Sequence, residues 1–444
     1  MKTGIALFIA TLLTGSPILA SDYCVVIKRE SYEDKQWAAV ADVLIRKHDG
    51  VLLQYDSTPE EALAELQKHH PRHSCFVTKP EEADRAFVAN VHQLTRKLDD
   101  DPYTDTFWGI LTGFDAANAL NIAKHETPLI VRKVASGTEV ALEMCEQGLW
   151  YDELVKNKLV QKKKGGIVQQ RRGPDDTTDA LVKSLNDFQP DLFVTSGHAT
   201  ERNWQIGFRY RNGYFRSQAG QMFGQDTTGQ RIEIDSPNAK VYLPIGNCLM
   251  GNINGADSMA LAWMNDVGVK QMMGYTVPTW FGYGGWGVLD YFVEQPGRYS
   301  LTEAFFANHA ALIHAIETKS GNQRGMTFDR DVVAFYGDPK WNARMAPADL
   351  AYEQTLTSDS DKYTFRVTPN RGEDSFKPIN TNGAQRGWRP MIHWFPKRLK
   401  GVRVVSGSEH KPVITDDFLL MPNPRKCEPG KAYEVVFTAR EAAE

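Results

Sequence analysis

Cysteine is scarce in this chain, with five in 444 residues, and after the first twenty positions no apolar run approaches the length needed to cross a bilayer, about 18 to 20 residues. Five is odd, so a dense disulfide scaffold is excluded and at least one thiol is free or pairs outside the chain. An excess of either charge is also missing. Lys and Arg number 51 against 55 Asp and Glu, a formal net charge of −4, which gives no footing for nucleic acid or an anionic membrane as partner. There is no internal repeat. No second histidine stands at ligand spacing from His198 and Glu201 in "HATE", so no metal is expected there. The cluster "HHPRH" at 69–73 reads as solvated surface.

What is present begins with a leader. Lys2, an apolar run over 5–13, the turn-forming "TGSP" and the small-residue end "ILAS" read as a secretory signal over 1–20, cut after Ala20. The mature chain is expected to be secreted or periplasmic, without membrane insertion once the signal is removed. Cys24 lies too far beyond the cut to carry a lipid anchor. The remaining length suits two or three domains at roughly 150 residues each.

Residues 21–145 alternate short apolar runs with helical patterns: "YCVVI", "WAAVADVLIRKHDG", "VLLQY", "PEEALAELQKHH", "CFVT" and "RAFVANV". That alternation is the mark of parallel strands with crossover helices, here an N-terminal α/β subdomain. Thr58 as N-cap, Pro59 behind it and glutamates in the first turn make the third helix start well defined. Cys24 and Cys75 open two runs that read as neighbouring strands, so a bridge between them is geometrically open. From 151 to 180 the chain is basic, contains glycine and lacks apolar periodicity, which predicts a long exposed loop. Within it, "KKKGGIVQQRRG" at 162–173 is expected to be mobile and readily cut. A second α/β unit, 146–348, carries "DLFVTSGHAT", "KVYLPIGNCLMGN", a helix at "DSMALAWMNDVG", a strand at "VKQMMGYT" and the aromatic stretch "VPTWFGYGGWG". Over 349–444 short strands between Pro, Gly, Asn and Asp read as a small β-sandwich.

"DLFVTSGH" and "VYLPIGNC" share one plan: an apolar run, one or two small residues, then a side chain able to do chemistry. In a parallel sheet both would end at the carboxyl edge, where open α/β sheets bind ligands, so His198 and Cys248 can meet across 50 residues of sequence. A base beside a thiol favours the thiolate nucleophile, and the resulting imidazolium can protonate a leaving amine. The adjacent glycines let backbone N–H groups approach an oxyanion. A lone strand-end cysteine is more often core, and a lone loop histidine is more often plain surface. The matched contexts favour catalysis.

On these motifs the chain resembles gingipain-type cysteine peptidases, within the group that includes caspases and legumain. "RAFVANVHQL" with "DDDPYTDTFWGILTGFDAANALNIAKH" is similar to that family's core strand, turn and following helix. "VTSGHATERNW" and "IGNCLMGN" resemble its histidine and cysteine strands, and "FYGDPKW" its Gly-Asp-Pro turn. The resemblance implies a parallel-sheet caspase- or gingipain-like catalytic domain followed by an all-β, immunoglobulin-like sandwich. It further implies an exported cysteine endopeptidase using a Cys248/His198 dyad on protein or peptide substrates. Backbone N–H groups of Ala199 and Cys248 would form the oxyanion site, and Asn247, Trp280 and Trp286 are the substrate-binding candidates. No cofactor is required, though structural calcium is compatible with the acidic "KLDDDPYTD" stretch. Two departures stand out: Ala199 where the family usually has glycine, and "WGIL" where Gly-Arg is common. The acid that would orient His198 has Asp105 as its candidate. A catalytically inactive peptidase-like binding or scaffolding protein is the alternative.

Overall fold

The runs "YCVVI" and "HSCFV" are too short for helices and rich in β-branched and aromatic residues, and they form the strands Tyr23–Lys28 and His73–Val77. They belong to a twelve-stranded sheet. The structure, a computed structural model, describes residues 21–380, 385–428 and 430–442. The leader expected at 1–20 lies outside the described residues. Across the sheet the order is Val51–Tyr55, Tyr23–Lys28, His73–Val77, Phe107–Leu111, Val333–Tyr336, Val269–Tyr275, Lys240–Pro244, Leu192–Thr195, Lys133–Ser136, Gln147–Tyr151, Lys158–Lys162 and Gln169–Arg172.

Pairing is parallel within the first five strands and again within the next five. Between them, Val333–Tyr336 runs antiparallel to Val269–Tyr275. Two parallel half-sheets therefore lie side by side in opposite directions within one continuous ladder. The carboxyl ends of the second half emerge together, and the loops after residues 136, 151, 195, 244 and 275 collect at that edge.

The Gly-Asp-Pro turn locks the first half to the chain's far end. Asp338 accepts from the Tyr23 hydroxyl at 2.9 Å and from Lys47 Nζ at 3.0 Å, and it lies 2.7 Å from His48 Nε2. Against the effect of its own burial, His48 and Lys47 hold the Asp338 carboxyl well below the ordinary carboxylate range. In "WGIL", a Cβ on Gly109 would come within 2.4 Å of the Gly337 carbonyl, so this turn and that strand need glycine's missing side chain.

Several expectations are corrected. "RAFVANVHQL" is a helix, Arg85–Leu94, with the Asp84 side chain accepting from the Phe87 N–H. Its buried residues Phe87, Val88, Val91 and Leu94 repeat at helical spacing, which outweighs the β-branched content. The stretch read as a loop holds an antiparallel hairpin, Lys158–Lys162 with Gln169–Arg172, at the sheet edge. Its tip lies at the amino end of the neighbouring strand Gln147–Tyr151, away from the carboxyl edge. No Cys24–Cys75 bridge forms. Val25, not Cys24, pairs with Cys75, so the two thiols point to opposite faces, and all five cysteines are free.

Residues 199–233 add a five-stranded antiparallel sheet, starting at Ala199–Thr200 and Asn203–Gln205, that no sequence signal marked. It packs on the large sheet through Phe215, whose ring stacks on Phe193 at 6.1 Å. The C-terminal region is all-β: a four-stranded and a three-stranded antiparallel sheet enclose Phe365, Val367, Met391, Leu419, Met421, Val435 and Phe437. In the three-stranded sheet the alternate residues Ile392, Phe418 and Leu420 face the opposite way, into the main core. Both faces being buried explains the uninterrupted apolar run "FLLM". Among the described residues no helix is long and apolar enough to cross a membrane.

Candidate functional site

Leu192–Thr195 and Lys240–Pro244 are direct parallel neighbours, in register from Leu192 opposite Val241 to Thr195 opposite Pro244. Each is fully buried, and each gives way to small residues. His198 stands three residues past one end and Cys248 four past the other, on strands about 4.8 Å apart. Gly197 has a φ of +96°, a left-handed value that glycine takes without strain. Gly246 sits where a Cβ would lie 2.6 Å from Ser196 Oγ and 3.0 Å from Trp286 Nε1. Asn247 departs from its expected role. It is fully buried, its Nδ2 donating to the Gly197 carbonyl at 2.9 Å and its Oδ1 accepting from Thr195 Oγ1 at 2.6 Å. It ties the two strand ends together and presents nothing to a substrate.

Cys248 is half-buried and pinned by one residue of the next strand's loop. The Thr279 N–H donates to Sγ at 3.3 Å, and Sγ lies 3.6 Å from the Thr279 carbonyl. Leu249, immediately after Cys248, has φ +59°, an uncommon value for leucine and a local strain beside the cysteine.

His198 is exposed, and its ring stacks on Phe208 at 4.5 Å with 28° between planes. Phe208 in turn donates its N–H to the Glu153 carbonyl at 2.6 Å. Glu153 follows the strand Gln147–Tyr151 and is buried. Thr138 Oγ1 donates to its Oε1 at 2.7 Å, while Oε2 has no hydrogen-bond partner among the described residues. Burial pushes its carboxyl up to about 7. Strand by strand, the edge therefore presents Thr279 with Trp280, then Cys248, His198, Thr138 and Glu153. Sequence reasoning missed Phe208 and Glu153. The available signal for Glu153 was an acidic pair at the end of the apolar "LWY", the same strand-end plan used for His198 and Cys248.

Asp105 is not in this row. It precedes the strand Phe107–Leu111, four strands from Leu192–Thr195 and so about 19 Å away at 4.8 Å per strand. Its Oδ2 accepts the N–H groups of Leu98 and Asp99 at 2.9 and 3.3 Å.

Trp280 is 52% exposed, and its ring lies 5.5 Å from Phe328 with the Arg324 guanidinium 5.8 Å from its centroid. Trp286 is buried beneath Gly246 on the helix Tyr283–Phe292. Ala199 lies opposite Trp204. Because the Gln205 N–H bonds to the His198 carbonyl at 2.9 Å, Ala199 occupies the non-hydrogen-bonded position and directs its own N–H out of the ribbon.

Two groups among the described residues bring three potential ligand atoms within 4.8 Å of one another: Asp99, Asp101 and Asp416, and His70, Asp99 and Asp105. Neither includes a residue of the histidine–cysteine row.

No family model and no curated protein matches the chain. Among solved structures it is similar to gingipain R (RgpB), an Arg-specific cysteine proteinase, at 10% identity and a TM-score of 0.49, covering 95% of this chain and 92% of that one. It is similar to the complex of Porphyromonas gingivalis RgpB pro- and mature domains at 9% identity and 0.47, covering 95% and 94%. A further protease structure stands at 9% and 0.45, covering 95% and 97%.

Proposed function

We propose that the chain is an exported cysteine endopeptidase, secreted or periplasmic, acting on protein or peptide substrates without a cofactor. The observation that supports this reading is the register of two adjacent parallel strands, which run at the same carboxyl edge into the segments carrying His198 and Cys248. Cys248 Sγ, its proton passed to His198, attacks the peptide carbonyl carbon. The carbonyl oxygen takes the negative charge beside the N–H groups of Ala199 and Cys248. The carbon–nitrogen bond then breaks, the imidazolium gives its proton to the departing amine, and the acyl group stays on sulfur until water releases it. Glu153, buried after the strand two places from that of His198 and with Oε2 unpaired, would be the acid that orients the histidine. Trp280, exposed next to the Thr279 that bonds Sγ, would meet the acyl side of the substrate.

A peptide carrying a thiol-reactive electrophile tests this. Labelling of Cys248 that is lost in His198→Ala, together with peptide hydrolysis by the wild type, is the expected result. Equal labelling in both proteins without hydrolysis would leave a peptidase-like binding protein instead.

A further inference from the structure

Phe208 and Trp280 are the only exposed Phe, Tyr or Trp side chains among the described residues, 43% and 52% open to solvent. They stand at opposite ends of the reactive row: Trp280 follows Thr279, which bonds the sulfur, and Phe208 stacks on His198.

The segment carrying Phe208 is held rigidly. The N–H groups of Phe208 and Arg209 both donate to the Glu153 carbonyl, at 2.6 and 3.2 Å, and the Tyr210 hydroxyl donates to the Asp152 carbonyl at 2.6 Å. Gly207, at φ +81°, makes the turn that brings the ring over the imidazole. One face of the phenyl ring is covered by His198, and part of the remaining surface is open to solvent.

The chemistry gives that open surface a direction. The acyl part of a substrate is bonded to Cys248 Sγ, whereas the departing amine receives its proton from His198. The residue bearing that amine therefore lies over His198, and the next surface it meets is Phe208. We infer that Phe208 is a specificity-determining residue for the leaving-group side, and that the preferred substrates carry an apolar residue directly after the scissile bond. This rests on the peptidase reading above.

The full-length chain, Phe208→Leu, Phe208→Ala and a Cys248→Ala blank are each incubated with a mixed peptide library, and the new N-termini are identified by mass spectrometry. For the wild type, Leu, Ile, Val, Met and Phe should lead at the new N-terminus, with kcat/KM roughly tenfold above matched Gly or Asp peptides. Phe208→Leu keeps the preference, and Phe208→Ala brings the ratio to about one. If Phe208 only steadied the imidazole, Phe208→Ala would slow every substrate equally and leave the ratio intact, which overturns the proposal. A wild type without apolar preference overturns it too. Alkylation of Cys248 separates the two readings: His198-dependent alkylation with a flat profile sinks the subsite alone, and His198-independent alkylation without hydrolysis sinks both.

Discussion

Cys248 is fixed by two contacts to a single backbone residue, Thr279, rather than by enclosure in the core. Replacing it with alanine should abolish hydrolysis while shifting urea-unfolding stability by no more than about 0.5 kcal/mol, as for a side chain outside the packed interior. Strong destabilisation with activity retained would make it a core residue. Glu153 behaves differently, because burial lifts its carboxyl from 4.5 to about 7. The folded chain binds that proton more tightly than the unfolded one. Its contribution to stability is therefore complete below pH 4.5 and is lost as pH rises through about 7. The thermal midpoint should fall across that interval, and Glu153→Gln should remove this part of the slope.

At the scale of elements, the helix Tyr283–Phe292 approaches the cysteine strand so closely that a Cβ on Gly285 would come within 2.0 Å of the Ile245 carbonyl. Gly285→Ala should push the helix, and Trp286 with it, away from Gly246. We expect a loss of about 1–3 kcal/mol in chemical denaturation and a lower rate of peptide cleavage. An unchanged rate would uncouple the helix from the site. "GYGGWG" was not legible as a helix because each interior glycine costs about 1 kcal/mol in propensity. The demand for close packing overrode it. The hairpin at 158–172 was missed for another reason: its outer strand "QQRR" is exposed along its whole length, so no apolar alternation marks it.

Over the whole molecule, the C-terminal β region is built into the α/β core rather than appended to it. Asp290, on the helix beneath the site, accepts from Arg386 Nε at 2.7 Å and from Arg389 Nε at 3.0 Å, and all three side chains are almost completely buried. The Arg389 guanidinium also lies 3.7 Å from the Tyr283 ring centroid. Arg389→Ala leaves a buried carboxylate short of a partner and should cost about 3–5 kcal/mol in urea unfolding. A cost near zero would mean that the two regions are energetically separate.

Local pattern was enough to reveal parallel strands joined by helices, a β-rich C-terminal region, and two strands ending in a histidine and a cysteine, because periodicity and small residues at strand ends are short-range properties. Tertiary structure decided what depends on register and contact over long separations. One residue of register put Cys24 and Cys75 on opposite faces. The reversal of direction between Val269–Tyr275 and Val333–Tyr336 set which loops share the edge that carries His198 and Cys248. Asn247 turned inward because two strand ends needed a polar tie. Asp105 landed four strands from His198, while Phe208, unmarked by any motif, was brought to its side, its N–H bonded to the Glu153 carbonyl 55 residues away in sequence. Such pairings are fixed only when the whole chain packs, since no local preference specifies a partner that distant in sequence.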